Sequence, residues 1–259
     1  MINFKSSTQK IIRSLNLLFF KKELPSKISL YFHETSQVEI DNIENLILFF
    51  KFNGYKFVKI SEYAKKIYST DKHIALTFDD AFESWNDVLP LLQHHNIKAT
   101  FFINSISLTT EVKTNYLKNI NHTESTKILS KKVFKKIIKD GHEIGGHTHS
   151  HPKLNKINYQ EFKQQISKNV DILKNEGVDL KSFAIPFGMR RFITSKQLEY
   201  LDLKFESICF GEPGLLFSNK NSYINRTPWV VGESFDFNLK NISTDTRFFN
   251  FITRRSGLG

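Results

Sequence analysis

The sequence predicts an α/β domain built on parallel strands, and two observations predict it. Short apolar, β-branched or aromatic runs alternate with stretches of helical periodicity along most of the chain, the pattern of a sheet or barrel whose strands are each followed by a covering helix. No fixed-period repeat and no Pro-, Gly- or Ser-rich linker breaks that alternation. One domain over residues 27–259, behind an N-terminal helical extension over residues 1–26, is therefore the organisation expected. The 259 residues, 40% hydrophobic and 24% charged, exclude a disordered, collagen-like or low-complexity protein. A chain of this length buries roughly three quarters of its unfolded surface.

Residues 28–33 read as the first strand. Ile43, Leu46, Ile47 and Phe50 recur at i, i+3, i+4, i+7 and mark a helix that Gly54 stops. A short strand at residues 56–60 and a short helix capped by Ser61 follow. Residues 74–78 form a continuous apolar strand running into Asp79 and Asp80. The next helix contains Pro90, which a first turn tolerates, so it is expected to begin near Asp87. Residues 98–103 are the next buried strand, and the polar stretch 104–129 reads as loop with irregular helix. Ser130 then caps a helix that runs to Lys139 and is ended by Gly141. A strand at 142–146 precedes a longer helix, marked by Phe162, Ile166, Val170 and Leu173 and closed by Gly177. A strand at 182–186, a helix after Thr194 or Ser195 and a strand at 205–210 bring the count to about seven strand-and-helix units. The chain after Phe235 has no pattern that assigns it.

The formal net charge is +11, a balance that suits nucleic acid, anionic glycans or an anionic membrane. The lysines are scattered, the densest run being Lys131, Lys132, Lys135, Lys136 and Lys139, and no nucleic-acid motif accompanies them, so nucleic acid is not an expected partner. The single cysteine, Cys209, cannot form an intramolecular disulfide. The apolar stretch at residues 15–20 is interrupted by Asn16, closed by Lys21 and Lys22, and far short of the ~20 residues that span a bilayer. It also lacks the small-residue cleavage site of a signal peptide. It reads as an amphipathic helix packed on the body, with a basic membrane-surface anchor as the alternative. The expected location is the cytoplasm or a peripheral position on the cytoplasmic membrane.

Asp79 and Asp80 end an apolar strand, at the rim where α/β barrels assemble sites from several strand ends. Two adjacent carboxylates there suit a cation as well as they suit a helix cap. His147 and His151 leave a second strand end after Gly145 and Gly146. Two imidazoles with one carboxylate leave a coordination position open for water, which is the catalytic type of metal site. His147-Thr148-His149 also has the HxH form of phosphoesterases of the polymerase-and-histidinol-phosphatase type, but those need further histidines and none follows His151. The HxHxDH of metallo-β-lactamase-like hydrolases fails at Ser150. Pro186 and Gly188 fix a tight turn after a third strand end, where the backbone N–H of Phe187 can serve as an oxyanion donor.

Thr77-Phe78-Asp79-Asp80, His147-Thr148-His149-Ser150-His151 and Ile185-Pro186-Phe187-Gly188, in that order, resemble the first three motifs of the polysaccharide deacetylases. These NodB-like carbohydrate esterases include chitin, chitooligosaccharide and peptidoglycan deacetylases. Upstream, Leu30-Tyr31-Phe32-His33 and residues 52–58 are similar to the opening segment of the exopolysaccharide-modifying branch, so the resemblance covers residues 28 to about 230. It implies a distorted (β/α)7 TIM-like barrel. It also implies one divalent ion, zinc first with cobalt, nickel or manganese as alternatives, held by Asp80, His147 and His151. Asp79 is then the catalytic base and His149 a neighbour without a ligand role. The implied reaction is metal-assisted removal of an N-acetyl group from a polysaccharide, oligosaccharide or glycolipid, with the Phe187 N–H on the oxyanion. An O-acetyl esterase or phosphoesterase on the same barrel, or a carbohydrate-binding relative without catalysis, are the rivals.

Two departures from the family pattern stand out. Its third motif often carries an arginine where Ala184 stands, although the exopolysaccharide branch commonly lacks it, and Arg226 is the substitute expected to orient Asp79. The family's usual general acid is a histidine in a C-terminal motif, which this chain does not have. His33, ending the first strand on the rim that bears Asp79, is the expected acid, with a water or a proton relayed from Asp79 as alternatives. His73, His94, His95, His122 and His142 are expected at the surface or in packing, and Trp85 and Trp229 are candidate floors for a sugar.

Overall fold

A computed structural model describes residues 24–66, 69–213 and 223–243. The N-terminal extension and its apolar stretch at residues 15–20 lie almost wholly outside these. Among the described residues no helix is long and apolar enough to cross a membrane. The strands are β1 (Lys27–Phe32), β2 (Lys56–Phe57), β3 (His73–Asp79), β4 (Thr100–Ile103), β5 (Glu143–Gly146), β6 (Ser182–Ala184), β7 (Ser207–Phe210), β8 (Tyr223–Asn225) and β9 (Thr227–Pro228). The helices are α1 (Gln37–Phe52), α2 (Ile60–Lys65), α3 (Trp85–His94), α4 (Thr114–Asn119), α5 (Lys131–Lys139), α6 (Tyr159–Asn175), α7 (Ser195–Asp202) and α8 (Phe235–Ser243).

Among the described residues the nine strands pair in parallel throughout, with one isolated antiparallel bridge between Phe82 and Ile128 outside them, and β1, β3, β4, β5, β6 and β7 lie side by side, β1 next to β3 and so on to β7. The ring is closed by one short stretch, whose first half, β8, pairs with β7 and whose second half, β9, pairs with β1. Counting β8 and β9 as one stave gives the distorted (β/α)7 barrel that the sequence predicts. β2 pairs with the start of β3, ahead of the point where β4 joins.

Side chains alternate across each stave with the period of two that pleating imposes. Ile28, Leu30 and Phe32, then Ile74, Leu76 and Phe78, then Phe101 and Ile103 face the helices in one buried cluster. Phe183, Ile208 and Phe210 do so in a second. Ala75, Phe102, Ala184, Cys209 and Ile224 face inward and pack on Val58, Ile60 and Tyr63, so α2 plugs the amino end of the barrel.

Ser61 does not cap α2. The helix is entered at Lys59 without a side-chain cap, and the N–H groups of Ile60 and Ser61 donate to Thr100 Oγ1 at 2.9 Å and Glu143 Oε2 at 3.0 Å. Inward side chains of β4 and β5 thereby satisfy donors that a helix start leaves open. α3 begins at Trp85, earlier than expected, and holds Pro90 within it. Its first turn is closed by bonds to Phe82, Glu83 and Ser84, and the carbonyl that Pro90 cannot serve belongs to Asn86, which is exposed to water. β2 and β6 stop short of residues 60 and 186 because the chain leaves them for the plug and for the turn described below. Ser130 and Thr194 cap their helices as expected, and the unassigned stretch after Phe235 is α8.

Candidate active site

The carboxyl ends of β1, β3, β5 and β6, with the residue between β8 and β9, converge on a cleft of about 380 Å³. Asp79 and Arg226 form its inner pair. Arg226 Nη1 and Nη2 donate to Asp79 Oδ1 and Oδ2, both at 2.7 Å, and Nη1 also donates to Thr77 Oγ1 at 2.9 Å. The guanidinium is 1% exposed and lies 5.0 Å from the ring centroids of both Tyr31 and Phe102. Burial opposes its charge, but the Asp79 carboxylate overrides burial and raises the arginine pKa. A two-pronged pair of this kind fixes the carboxylate plane while leaving each oxygen a free lone pair.

Asp80 turns away from Asp79 because the backbone leaves the strand with φ 76° at Asp80 and 47° at Ala81. The Tyr116 hydroxyl pins that turn by donating to the Asp80 carbonyl at 2.6 Å. Asp80 Oδ1 then lies 3.2 Å from His147 Nε2 and 3.3 Å from His151 Nε2. His147 Nδ1–H donates to the Ala184 carbonyl at 2.7 Å, which directs Nε2 at the carboxylate. Burial pushes the Asp80 carboxyl up, yet the imidazoles of His151, His147 and His33 override it and hold it well below the usual carboxylate range. Burial also opposes charge on His147, where the Asp80 and Asp79 carboxylates win and raise its pKa. At His151 burial wins and pushes the pKa down to about 4, so its imidazole is neutral and free to act as a ligand near pH 7.

A cation fits this set. Asp80 Oδ1 is buried without a hydrogen-bond partner, and the three ligand atoms of Asp80, His147 and His151 lie within 4.8 Å of one another. One carboxylate and two imidazoles suit a borderline-soft dication with a position left open.

The histidine loop is held from beneath. Thr148 and His151 both have positive φ, 65° and 56°, and the His151 N–H donates to Thr148 Oγ1 at 3.0 Å. Asn104 Nδ2 donates to the His147 carbonyl, and Asn169 Nδ2 donates to the carbonyls of Thr148 at 2.8 Å and Ile103 at 2.9 Å. The glycine pair before the loop is a packing requirement: a Cβ on Gly145 would stand 2.4 Å from the Phe102 ring, and one on Gly146 2.8 Å from Asn169 Oδ1. His149 faces away, its Nε2–H donating to Glu111 Oε2 at 3.3 Å and its Nδ1 accepting from Ser105 Oγ at 3.0 Å.

Residues 185–188 close as a turn through the Gly188 N–H and the Ile185 carbonyl at 2.9 Å, with Phe187 at φ 62° and its ring centroid 4.7 Å from that of His151. His33 follows β1. Its side chain is 51% exposed, its Nε2 lies 3.8 Å from Asp80 Oδ2, and its carbonyl accepts from Trp85 Nε1–H at 2.8 Å.

Asp79, Asp80, His33, His147, His151, Phe187 and Arg226 thus all reach one cleft. Trp85 and Trp229 do not floor it, because both are buried in the outer core. His122, expected at the surface or in packing, lines the cleft wall beside Asn119 and Asn121. That wall comes from the polar stretch 104–129, tied down by the Leu129 N–H on the Ala81 carbonyl at 2.7 Å and Asn119 Nδ2 on the Ser150 carbonyl at 2.8 Å. Reading the sequence missed Asn104, Tyr116, Asn169 and the part played by Thr77; only Thr77, two positions before Asp79, carried a local signal.

A polysaccharide deacetylase family model matches residues 66–205. A peptidoglycan-N-acetylglucosamine deacetylase of Bacillus cereus is 36% identical over 118 residues, which cover 44% of this chain and 36% of that one. A chitin deacetylase of Arthroderma benhamiae is 31% identical over 101 residues, covering 39% of this chain and 23% of that one. The chain therefore spans well under half the length of either relative. Among solved structures, the Streptococcus pyogenes deacetylase PplD in complex with acetate aligns with a TM-score of 0.65 at 19% identity, over 85% of this chain and 99% of that one. BC0361, a polysaccharide deacetylase from Bacillus cereus, aligns at 0.67 and 16% identity, over 85% and 69%. At such identities the two structures speak for the barrel fold.

Proposed function

We propose, since the chain belongs to the polysaccharide deacetylase family, that it is a metal-dependent hydrolase removing the N-acetyl group from an N-acetylated sugar in a polysaccharide, oligosaccharide or glycolipid. The observation that carries the reading is a carboxylate held on both oxygens, Asp79, directly beside a buried Asp80, His147 and His151 set. Those three residues would hold the dication, with zinc favoured by the donor set and cobalt, nickel or manganese as alternatives. When bound, such an ion supplies Lewis-acid polarisation of the amide carbonyl and lowers the pKa of water toward ~7.

Asp79 accepts the proton of the attacking water at a carboxylate oxygen, and Arg226 keeps that carboxylate in plane from a position other than the one Ala184 occupies. The Phe187 N–H, turned by the positive φ of its residue, donates to the developing oxyanion. His33, anchored through its carbonyl to Trp85, gives the leaving sugar amine its proton. Acetate and a sugar amine are the products.

Metal content and acetate release from N-acetylated oligosaccharides, with and without a chelator, test the reading. Chelator-sensitive release that Asp79→Asn abolishes while metal stays bound, with metal lost in His147→Ala, supports it. Turnover confined to acetate or phosphate esters moves the site to the esterase or phosphoesterase reading. Bound metal without turnover leaves a carbohydrate-binding relative, and a protein that takes no metal overturns the site. Fractionation of the producing cell tests the location: recovery with cytosol or washed membranes agrees with the cytoplasmic side, and recovery in the wall or medium overturns it.

A further inference from the structure

Phe187, which lines the cleft, also belongs to a surface shelf of two rings and two cations just outside it. The Phe187 and Phe192 ring centroids are 5.6 Å apart. Lys153 Nζ lies 5.1 Å from the Phe187 centroid and 5.8 Å from that of Phe192, and Arg191 Cζ lies 4.9 Å from Phe192. The loop after β5 supplies the lysine and the loop after β6 supplies the arginine. Asn155 Nδ2 locks the two together by donating to the Arg191 carbonyl at 2.8 Å.

Both cations are exposed, and among the described residues no carboxylate forms an ion pair with either. Some other cations are paired, Arg190 facing Glu212 at 3.5 Å and Lys168 facing Glu111 at 2.8 Å, so the two shelf cations share their freedom with other surface lysines and differ from those in flanking the cleft residue Phe187. A guanidinium resting on a ring keeps its N–H edge free for a planar or tetrahedral anion, and the contact orders it in advance. The stretch 119–122 adds the amides of Asn119 and Asn121 and the imidazole of His122 to the cleft lining.

We infer that the Lys153–Arg191 shelf binds an anionic substituent, a carboxylate or a phosphate, on the sugar unit next to the one presented to Asp79. This rests on the proposed deacetylase reading and narrows its substrate to glycans that carry such a group. The rings take an apolar face of that sugar and the cations take its charge.

Three tetrasaccharides test the inference: a neutral N-acetylglucosamine oligomer, a peptide-free oligomer alternating N-acetylglucosamine with N-acetylmuramic acid, and the neutral oligomer with a 6-phosphate. The wild type is expected to prefer at least one anionic probe, and which one identifies the source of the charge. Lys153→Ala/Arg191→Ala is expected to lose about tenfold in kcat/KM on that probe, through KM, and nothing on the neutral one. Lys153→Arg and Arg191→Lys, which keep the charges, should retain most of the preference. Equal rates on all probes, or an equal loss on neutral and anionic probes, would overturn the shelf. If no probe releases acetate, the deacetylase reading fails by itself. Calorimetric binding of the same probes to zinc-supplemented protein then decides the shelf: about tenfold weaker binding of the anionic probe alone in the double variant supports it, and equal affinity overturns it.

Discussion

At the amino end of the barrel, α2 fills the opening with Ile60 and Tyr63, and the inward-facing Thr100 and Glu143 satisfy its first N–H groups. At the carboxyl end the same staves carry two carboxylates, two histidines and an arginine, all buried. Six non-glycine residues there, Asp80, Ala81, Asn121, Thr148, His151 and Phe187, have positive φ, a conformation that costs energy and persists only where surroundings impose it. One end is built to hold the ring shut and the other to keep charges close together. The difference shows where a substitution will alter stability and where it will alter chemistry.

The sharpest way to break the comparison is at Arg226. Arg226→Met leaves Asp79 buried without its partner and should cost about 3–5 kcal/mol of stability in urea titration, together with all acetate release. Asp79→Asn/Arg226→Met should regain most of that stability and none of the activity. A single variant as stable as the wild type would mean that the pair is not what organises the rim.

At the amino side, His142 precedes β5 and is buried, accepting from the Ala99 N–H at 3.1 Å. Burial, helped by the charge of Lys98, pushes its pKa down to about 4. The unfolded chain takes up a proton near pH 6.5 and the folded one only near pH 4. The stability this imidazole contributes is thus complete above about pH 6.5 and lost as the pH falls toward 4, a change of about 3 kcal/mol. His142→Gln should flatten stability over that window, and an unaltered pH profile would contradict the assignment.

Metal comes next in size. Returning zinc to chelated protein, to about 100 times its Kd, should raise stability by about 2.7 kcal/mol, and His147→Ala should show no such rise. The smallest effect belongs to the plug: Glu143→Gln weakens the start of α2 by about 1 kcal/mol and should leave kcat untouched. A fall in kcat there would show that the two ends are coupled.

The motifs around Asp79 and His147 were legible because each is a short run of residues that themselves do the contacting. The staves were legible for the same reason, since alternation and capping are local. Asn169 was not: it reaches the Ile103 carbonyl across 66 residues of sequence, and nothing near it distinguishes an amide that ties down a loop from one in solvent. Ser61 misled because a distant acid and hydroxyl took over its expected task. Trp85 misled because its indole N–H was free to find the His33 carbonyl, which turned the ring into the core and away from the cleft. His122 escaped because residues 104–129 fold back over the rim through contacts that no periodicity encodes.

The stretch at residues 223–228 lies between β7 and β1 and bears Arg226, 147 residues after the aspartate that it grips. During synthesis the first six staves can emerge and pair in the order in which they are made. Until the seventh docks, Asp79 has no guanidinium and the sheet has two raw edges. Topological closure and the pairing of Asp79 therefore arrive in a single late event, and a ribosome-bound chain that stalls before residue 226 carries all three proposed metal ligands while the proposed base still lacks its guanidinium.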